Sequence, residues 1–291
     1  MFIRRARRAC RRRNDMRKTM LKEDMKEFEK SEILGVVSTI DADGYPRVTL
    51  LTTLMAKDEK TLVMGQFTKG ISKENMLIRP KSGFAFVTMK MDFWHGLVNW
   101  RDKFATEGPE YVKYNNMQMW RFNTYFGIEK VYYGDLVGIS DKAHLDLLGI
   151  GLNYAKINLS KKKFLSGKKE QVMRPFAVDL FNGLANPKFL TFVNADGYPV
   201  IVPVVQAQSA GSDRVVFTAK PYACLTKGLE KGAKVGVSAV SMQLESVLVQ
   251  GVFSGFEKGT GYVDIEKVYN PMPPVCCYNY PETPYREVTE F

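Results

Sequence analysis

The chain has 291 residues, of which 45% are hydrophobic and 25% charged, enough for two globular domains of ordinary composition. No apolar run approaches the ~20 residues that span a bilayer, so a membrane partner is not expected. Of the net charge of +11, seven units come from Arg4, Arg5, Arg7, Arg8, Arg11, Arg12 and Arg13; without them +4 remains, and nucleic acid is not an expected partner.

Residues 1–16 read as a basic disordered leader. It is an arginine-rich arm for RNA or an anionic surface, a processed targeting segment, or translated sequence upstream of a start at Met16 or Met20. The spacing then predicts a helix over 17–31, with Met20, Leu21, Met25 and Phe28 on one face. A β-branched strand over 33–40 follows. Residues 41–46 form a turn in which Asp43-Gly44 supplies a positive φ. Strands over 48–54, 62–64 and 83–89 come next, with a helix over 71–78 between Gly70 and Pro80. Residues 92–126 read as a helical insertion that holds Trp94, Trp100 and Trp120.

Residues 151–174 read as a linker. Its Lys161, Lys162, Lys163, Lys168 and Lys169 make a solvated loop or a contact for an anionic partner. Beyond it, a helix over 175–181 precedes strands over 189–193, 201–206 and 215–218. A helix over 222–228 and strands over 234–240 and 246–256 complete the series, and 260–291 reads as a Pro-rich tail.

The pentapeptide ADGYP occurs at 42–46 and again at 195–199, a spacing of 153; Ser72-Lys73 and Thr226-Lys227 are 154 apart. Helix, turn and strands repeat in the same register. The chain therefore reads as mainly β with helices (α+β), in two copies of one unit: 17–150 and 175–259. Short strands with frequent turns point to small barrels.

Chemistry concentrates in the first copy. Arg47, Val48 and Thr49 follow the ADGYP turn, and Gln66, Phe67, Thr68, Lys69, Ser72, Lys73 and Asn75 surround a strand-to-helix junction. Hydroxyls, lysines and a helix start suit a phosphate, although a solvated basic helix start has the same composition. His95 is either a packed residue or a proton donor, and the tryptophans are either core or a stacking surface. No residue is singled out as catalytic. Cys10, Cys224, Cys276 and Cys277 lack metal-ligand spacing, and His95 and His144 are the only histidines. No metal site is expected, and reduced thiols in the cytoplasm are.

The order helix, strand, DGYP turn, strand starting with Arg47, then Thr68, Ser72, Lys73, Asn75, Leu77 and Pro80 resembles the FMN-binding split barrels of the pyridoxamine 5′-phosphate oxidase-like superfamily. Residues 121–128 (RFNTYFGI) also resemble a stretch of uncharacterised members. The likeness covers about 30–140, and 186–256 more weakly. It implies two tandem split β-barrels and an FMN cofactor. Arg47, Ser72, Lys73 and Lys69 would hold the phosphate; Val48, Thr49, Gln66, Phe67 and Thr68 would line the ring and ribityl chain, with Asn75 nearby. The implied function is a flavoprotein oxidoreductase acting on a small-molecule substrate or electron donor. The alternative is a non-catalytic split barrel holding haem, a deazaflavin or another flavin-like ligand. The likeness also implies barrels that pair, within one chain or in a homodimer. Val200 stands where Arg47 stands, and Pro203 interrupts the matching strand, so the first copy is the expected flavin holder.

Overall fold

The computed structural model describes residues 16–29, 33–67, 70–117, 127–241, 243, 245–271 and 276–285. The arginine leader, Thr68, Lys69, Trp120 and the start of the RFNTYFGI stretch lie outside them. The chain divides into two compact units. The first holds the chain up to Ile40 and Thr49–Leu145; the second holds Asp41–Val48 and Asp146–Glu287. The first ADGYP hairpin thus belongs with the second unit.

In chain order the first sheet comprises β1 (Leu34–Ile40), β2 (Pro46–Leu50), β3 (Met55–Asp58), β4 (Thr61–Gln66), β5 (Lys81–Val87), β6 (Asp92–Ala105), β7 (Lys130–Ile139) and β8 (Ala143–His144). Helices α1 (Lys22–Phe28), α2 (Ile71–Ile78) and α3 (Pro109–Asn116) accompany it. The strand order is β2-β1-β5-β6-β7-β4-β3, with β8 beside β6. Val36, Val37, Ser38 and Thr39 of β1 are all buried, so that strand is covered on both faces. This is why it reads as a continuous β-branched run without alternation. Phe28 of α1 plugs the core, stacked on Phe86 at 4.1 Å and edge-on to Trp94 at 5.1 Å. Helix α1 is shorter than expected because the chain before it is claimed by tertiary pairing. Arg17 bridges to Ile139 through both backbone bonds, and its guanidinium meets Asp24 at 2.7 Å and Asp141 at 3.1 Å.

The second unit contains α4 (Leu147–Ser160), a 3-10 turn (Lys161–Phe164), α5 (Pro175–Asn182), β9 (Lys188–Val193), β10 (Pro199–Pro203), β11 (Gln208–Ser209), β12 (Arg214–Thr218), β13 (Lys234–Val240), β14 (Ser246–Glu257), β15 (Thr260–Asn270) and β16 (Cys277–Tyr280). Its order is β10-β9-β13-β14-β15-β12-β11, with β16 beside β15. Replacing each strand by its counterpart turns one order into the other. The duplication therefore extends to seven strands of each sheet; the eighth differs, since β8 lies beside β6 and β16 beside β15, the counterpart of β7.

The structure corrects four expectations. Residues 92–105 are the long strand β6, the counterpart of β14, and not part of a helical insertion. The extra chain begins after Ala105 and carries α3. In the second unit Lys258-Gly259, with φ of 49° and 82°, joins β14 to β15 directly. The segment read as a tail contains β15, which is central to its sheet, and the segment read as a linker contains most of α4. Residues 222–228 form turns instead of a helix.

Both ADGYP turns have the same construction. Gly44 (φ 83°) and Gly197 (φ 79°) adopt the left-handed conformation. The residue just before each pentapeptide closes the loop: Asp41 Oδ1 accepts from Tyr45 N at 2.9 Å, and Asn194 Oδ1 from Tyr198 N at 3.0 Å. No helix among the described residues is long and apolar enough to cross a membrane. Cys224 is disulfide-bonded, whereas Cys276 and Cys277 are free thiols.

Candidate functional site

In the first unit, β4 ends at Gln66 and α2 starts at Ile71, its N-cap Gly70 offering no side chain to the helix start. Thr49 Oγ1 and Ser72 Oγ share a hydrogen bond of 2.5 Å, joining the end of β2 to the first turn of α2. Lys73, in the same turn, is only 8% exposed. Burial, and next the positive charge of Lys130, push its ammonium down to about 8. Lys130 sits opposite Gln66 in the β4–β7 register, which is how it reaches the junction. Gln66 is fully buried, and neither its Nε2 nor its Oε1 has a hydrogen-bond partner among the described residues. Each unsatisfied buried group costs about 1–3 kcal/mol.

The structure therefore joins Thr49 to Ser72 and places Lys73 within the influence of Lys130, whose register partner is Gln66. Sequence reasoning missed Lys130 because only strand pairing links it to a junction more than fifty residues earlier. Phe67 packs against the small apolar cluster of Met55, Val63, Tyr114, Ile128 and Val131. Asn75 is buried and donates to Thr39 Oγ1 at 3.3 Å, so its amide is engaged with β1. His95 is 2% exposed and stacks on Phe93 at 5.7 Å, and Trp94 and Trp100 belong to the main core. None of the three presents an open face for a ring or a proton.

Arg47 and Val48 fall in the second unit. Arg47 is 2% exposed; it donates to Tyr278 Oη at 2.6 Å and lies over the Tyr269 ring at 4.2 Å. Its neighbours on the hairpin are equally engaged there. Tyr45 bonds Glu266, Asp43 pairs with Lys267 at 2.5 Å, and Asp41 accepts from Gln250 at 3.0 Å.

The second unit has no equivalent junction. Val202 replaces Thr49, Ala219 replaces Gln66, and Thr226 Oγ1 bonds Ala223 O at 3.0 Å within the turns. Thr53 donates to Gly65 O at 2.8 Å, but its counterpart Gln206 donates to Thr218 O at 2.9 Å and Lys220 O at 3.1 Å. A longer amide thus fills that corner.

The strand orders define the class: two split β-barrels in tandem, a mainly β fold with helices. No family model matches this chain, and no curated protein matches it. Among solved structures the chain is similar to FMN-binding, pyridoxamine 5′-phosphate oxidase-like split barrels. HupZ of Group A Streptococcus is 21% identical over 43% of this chain and 99% of its own, with a TM-score of 0.34. An FMN-binding protein from Syntrophomonas wolfei is 15% identical over 42% and 88%, with a TM-score of 0.34. A NimC/NimA family protein from Clostridium acetobutylicum is 11% identical over 43% and 92%, with a TM-score of 0.32.

Proposed function

We propose that the first unit binds a flavin mononucleotide where β4 gives way to α2, and that the chain is a flavin-dependent oxidoreductase. The observation that carries this reading is the buried Lys73 beside the like charge of Lys130, next to a hydroxyl pair and an unsatisfied amide. Lys130 also pairs with Glu129 at 3.7 Å; a buried lysine pushed below its usual range by burial and a like charge gains from an anion placed beside it. A phosphate monoester supplies that anion, and the helix start adds backbone donors. Gln66 supplies both a donor and an acceptor, which suits the amide-like edge or the ribityl chain of a flavin. In this reading Lys73, Ser72 and Thr49 hold the phosphate, Lys130 supports the charge, and Gln66 orients the polar part of the ligand. Arg47 is not needed. When bound, the flavin supplies the electron or hydride chemistry; the protein supplies binding and orientation.

The purified protein should be yellow, or should take up FMN with a flavin spectrum and release it on denaturation. Lys73→Met should lower FMN affinity by about 10- to 100-fold, the worth of one charge-assisted hydrogen bond of about 1.5–3 kcal/mol. A Soret band, or no FMN uptake by the folded protein, would sink the proposal.

A further inference from the structure

Helix α4 has two apolar faces. One is internal: Ile157 is fully buried with Phe164, Ala210 and Val216, and Ile150 is 3% exposed. Tyr154 O on the same side accepts from Gln208 Nε2 at 2.8 Å. The opposite face consists of Leu148, Leu152, Ala155 and Leu159, which at 3.6 residues per turn fall within an arc of about 60°. The three leucines are 76%, 74% and 85% exposed. Scattered exposed leucines need no explanation, but an aligned stripe directly opposite the buried face does.

The charge around the stripe says what covers it. Between Asp146 and Glu170 there is no acidic residue, whereas Lys156, Lys161, Lys162, Lys163, Lys168 and Lys169 give six positive charges. Lys156 is exposed on α4 itself, and Lys162, Lys163, Lys168 and Lys169 are exposed just beyond its end. A second copy laid against this face would bring like charges together. An anionic lipid surface accepts both features, because leucines enter the interface while lysines stay at the headgroups. We infer that α4 and the lysine segment after it form a peripheral docking surface for anionic bilayers. This goes beyond flavin binding and does not depend on it.

The test is cosedimentation of the full chain with unilamellar vesicles of phosphatidylcholine, alone or mixed with phosphatidylserine. Binding is expected only with the anionic lipid, and should weaken as salt is raised. Replacing Leu148, Leu152 and Leu159 together by serine should lower vesicle affinity at least about tenfold. Because these side chains are exposed, that variant should melt where the parent does. Lys162→Gln with Lys163→Gln should also cost roughly tenfold or more at low salt. Equal binding to both vesicle types, or no binding to either, overturns the inference. So does retained binding by the leucine variant, which would place the contact elsewhere, as in the arginine leader. A dimer that the leucine variant dissociates, without vesicle binding by the parent, would show the stripe to be a self-interface instead.

Discussion

The two barrels share the order of seven strands and differ most in chemistry at one corner. In the first, the strand-to-helix junction holds a helix start, a hydroxyl pair, a buried lysine and, at the end of β4, an amide with no partner among the described residues. In the second the same corner holds turns, Val202 and a glutamine that spends its donor on two carbonyls. The second unit also contains a buried lysine, Lys188, pushed down to about 7 by burial. Its ammonium donates to three backbone carbonyls, those of Gly183, Asn186 and Val205, at 2.6, 3.2 and 2.9 Å. Lys188 is thus solvated by its own backbone; Lys73 is shifted by burial and by the charge of Lys130. Duplication conserves the sheet because every strand must bury its apolar residues. The corner differs in polar side chains, which the strand pairing does not fix.

The comparison breaks most directly at the matched lysines. Lys73→Met should lose FMN by the 10- to 100-fold given above, whereas Lys227→Met should leave the titration unchanged; equal losses would mean that both units bind. A comparable energy is expected in the second unit from Tyr278→Phe. It removes the acceptor of the buried Arg47 and should cost about 1.5–3 kcal/mol of stability in denaturant melts. FMN affinity should stay the same, since Arg47 is placed outside the ligand set. Weakened FMN binding at unchanged stability would return Arg47 to the site.

Smaller effects sharpen the picture. Thr49→Val removes one neutral hydrogen-bonding hydroxyl and should weaken FMN by about 0.5–1.5 kcal/mol, or two- to tenfold. A further signal is in pH. Lys73 has a folded pKa of about 8 against the ordinary 10.5, so between these values the unfolded chain carries the extra proton. The ligand-free protein should therefore gain stability as pH rises through that window, and FMN affinity should fall as Lys73 loses its charge. Lys188 adds stability in the same direction from about pH 7. FMN should suppress the Lys73 part alone, and Lys73→Met should remove it. Chemical denaturation across this range, with and without FMN, reads out both.

Much of the fold was legible locally. The hairpins announced themselves through Gly44 and Gly197, and α2 runs over the residues expected from Gly70 and Pro80. Strands β6 and β15 were not legible. Residues 93–98 of β6 are buried without interruption, so the period-two alternation that marks a strand is missing. In β15 charged Asp264, Glu266 and Lys267 interrupt the apolar run, and the proline-rich segment that follows suggested a tail. At the candidate site, Ser72 and Lys73 stood out by residue type. Lys130 and the unsatisfied amide of Gln66 did not, because each depends on which strand lies alongside.

The sequence by itself determined the duplication and the turns, and it singled out the hydroxyls and lysines on which the proposed site rests. These rest on local rules: glycine alone tolerates the positive φ easily, and residue type limits what a side chain can donate. Only the tertiary structure decided that Arg47 meets Tyr278, 231 residues away, and that Lys73 is buried beside Lys130. Desolvation and charge coupling depend on distance in space, and no local spacing encodes that distance.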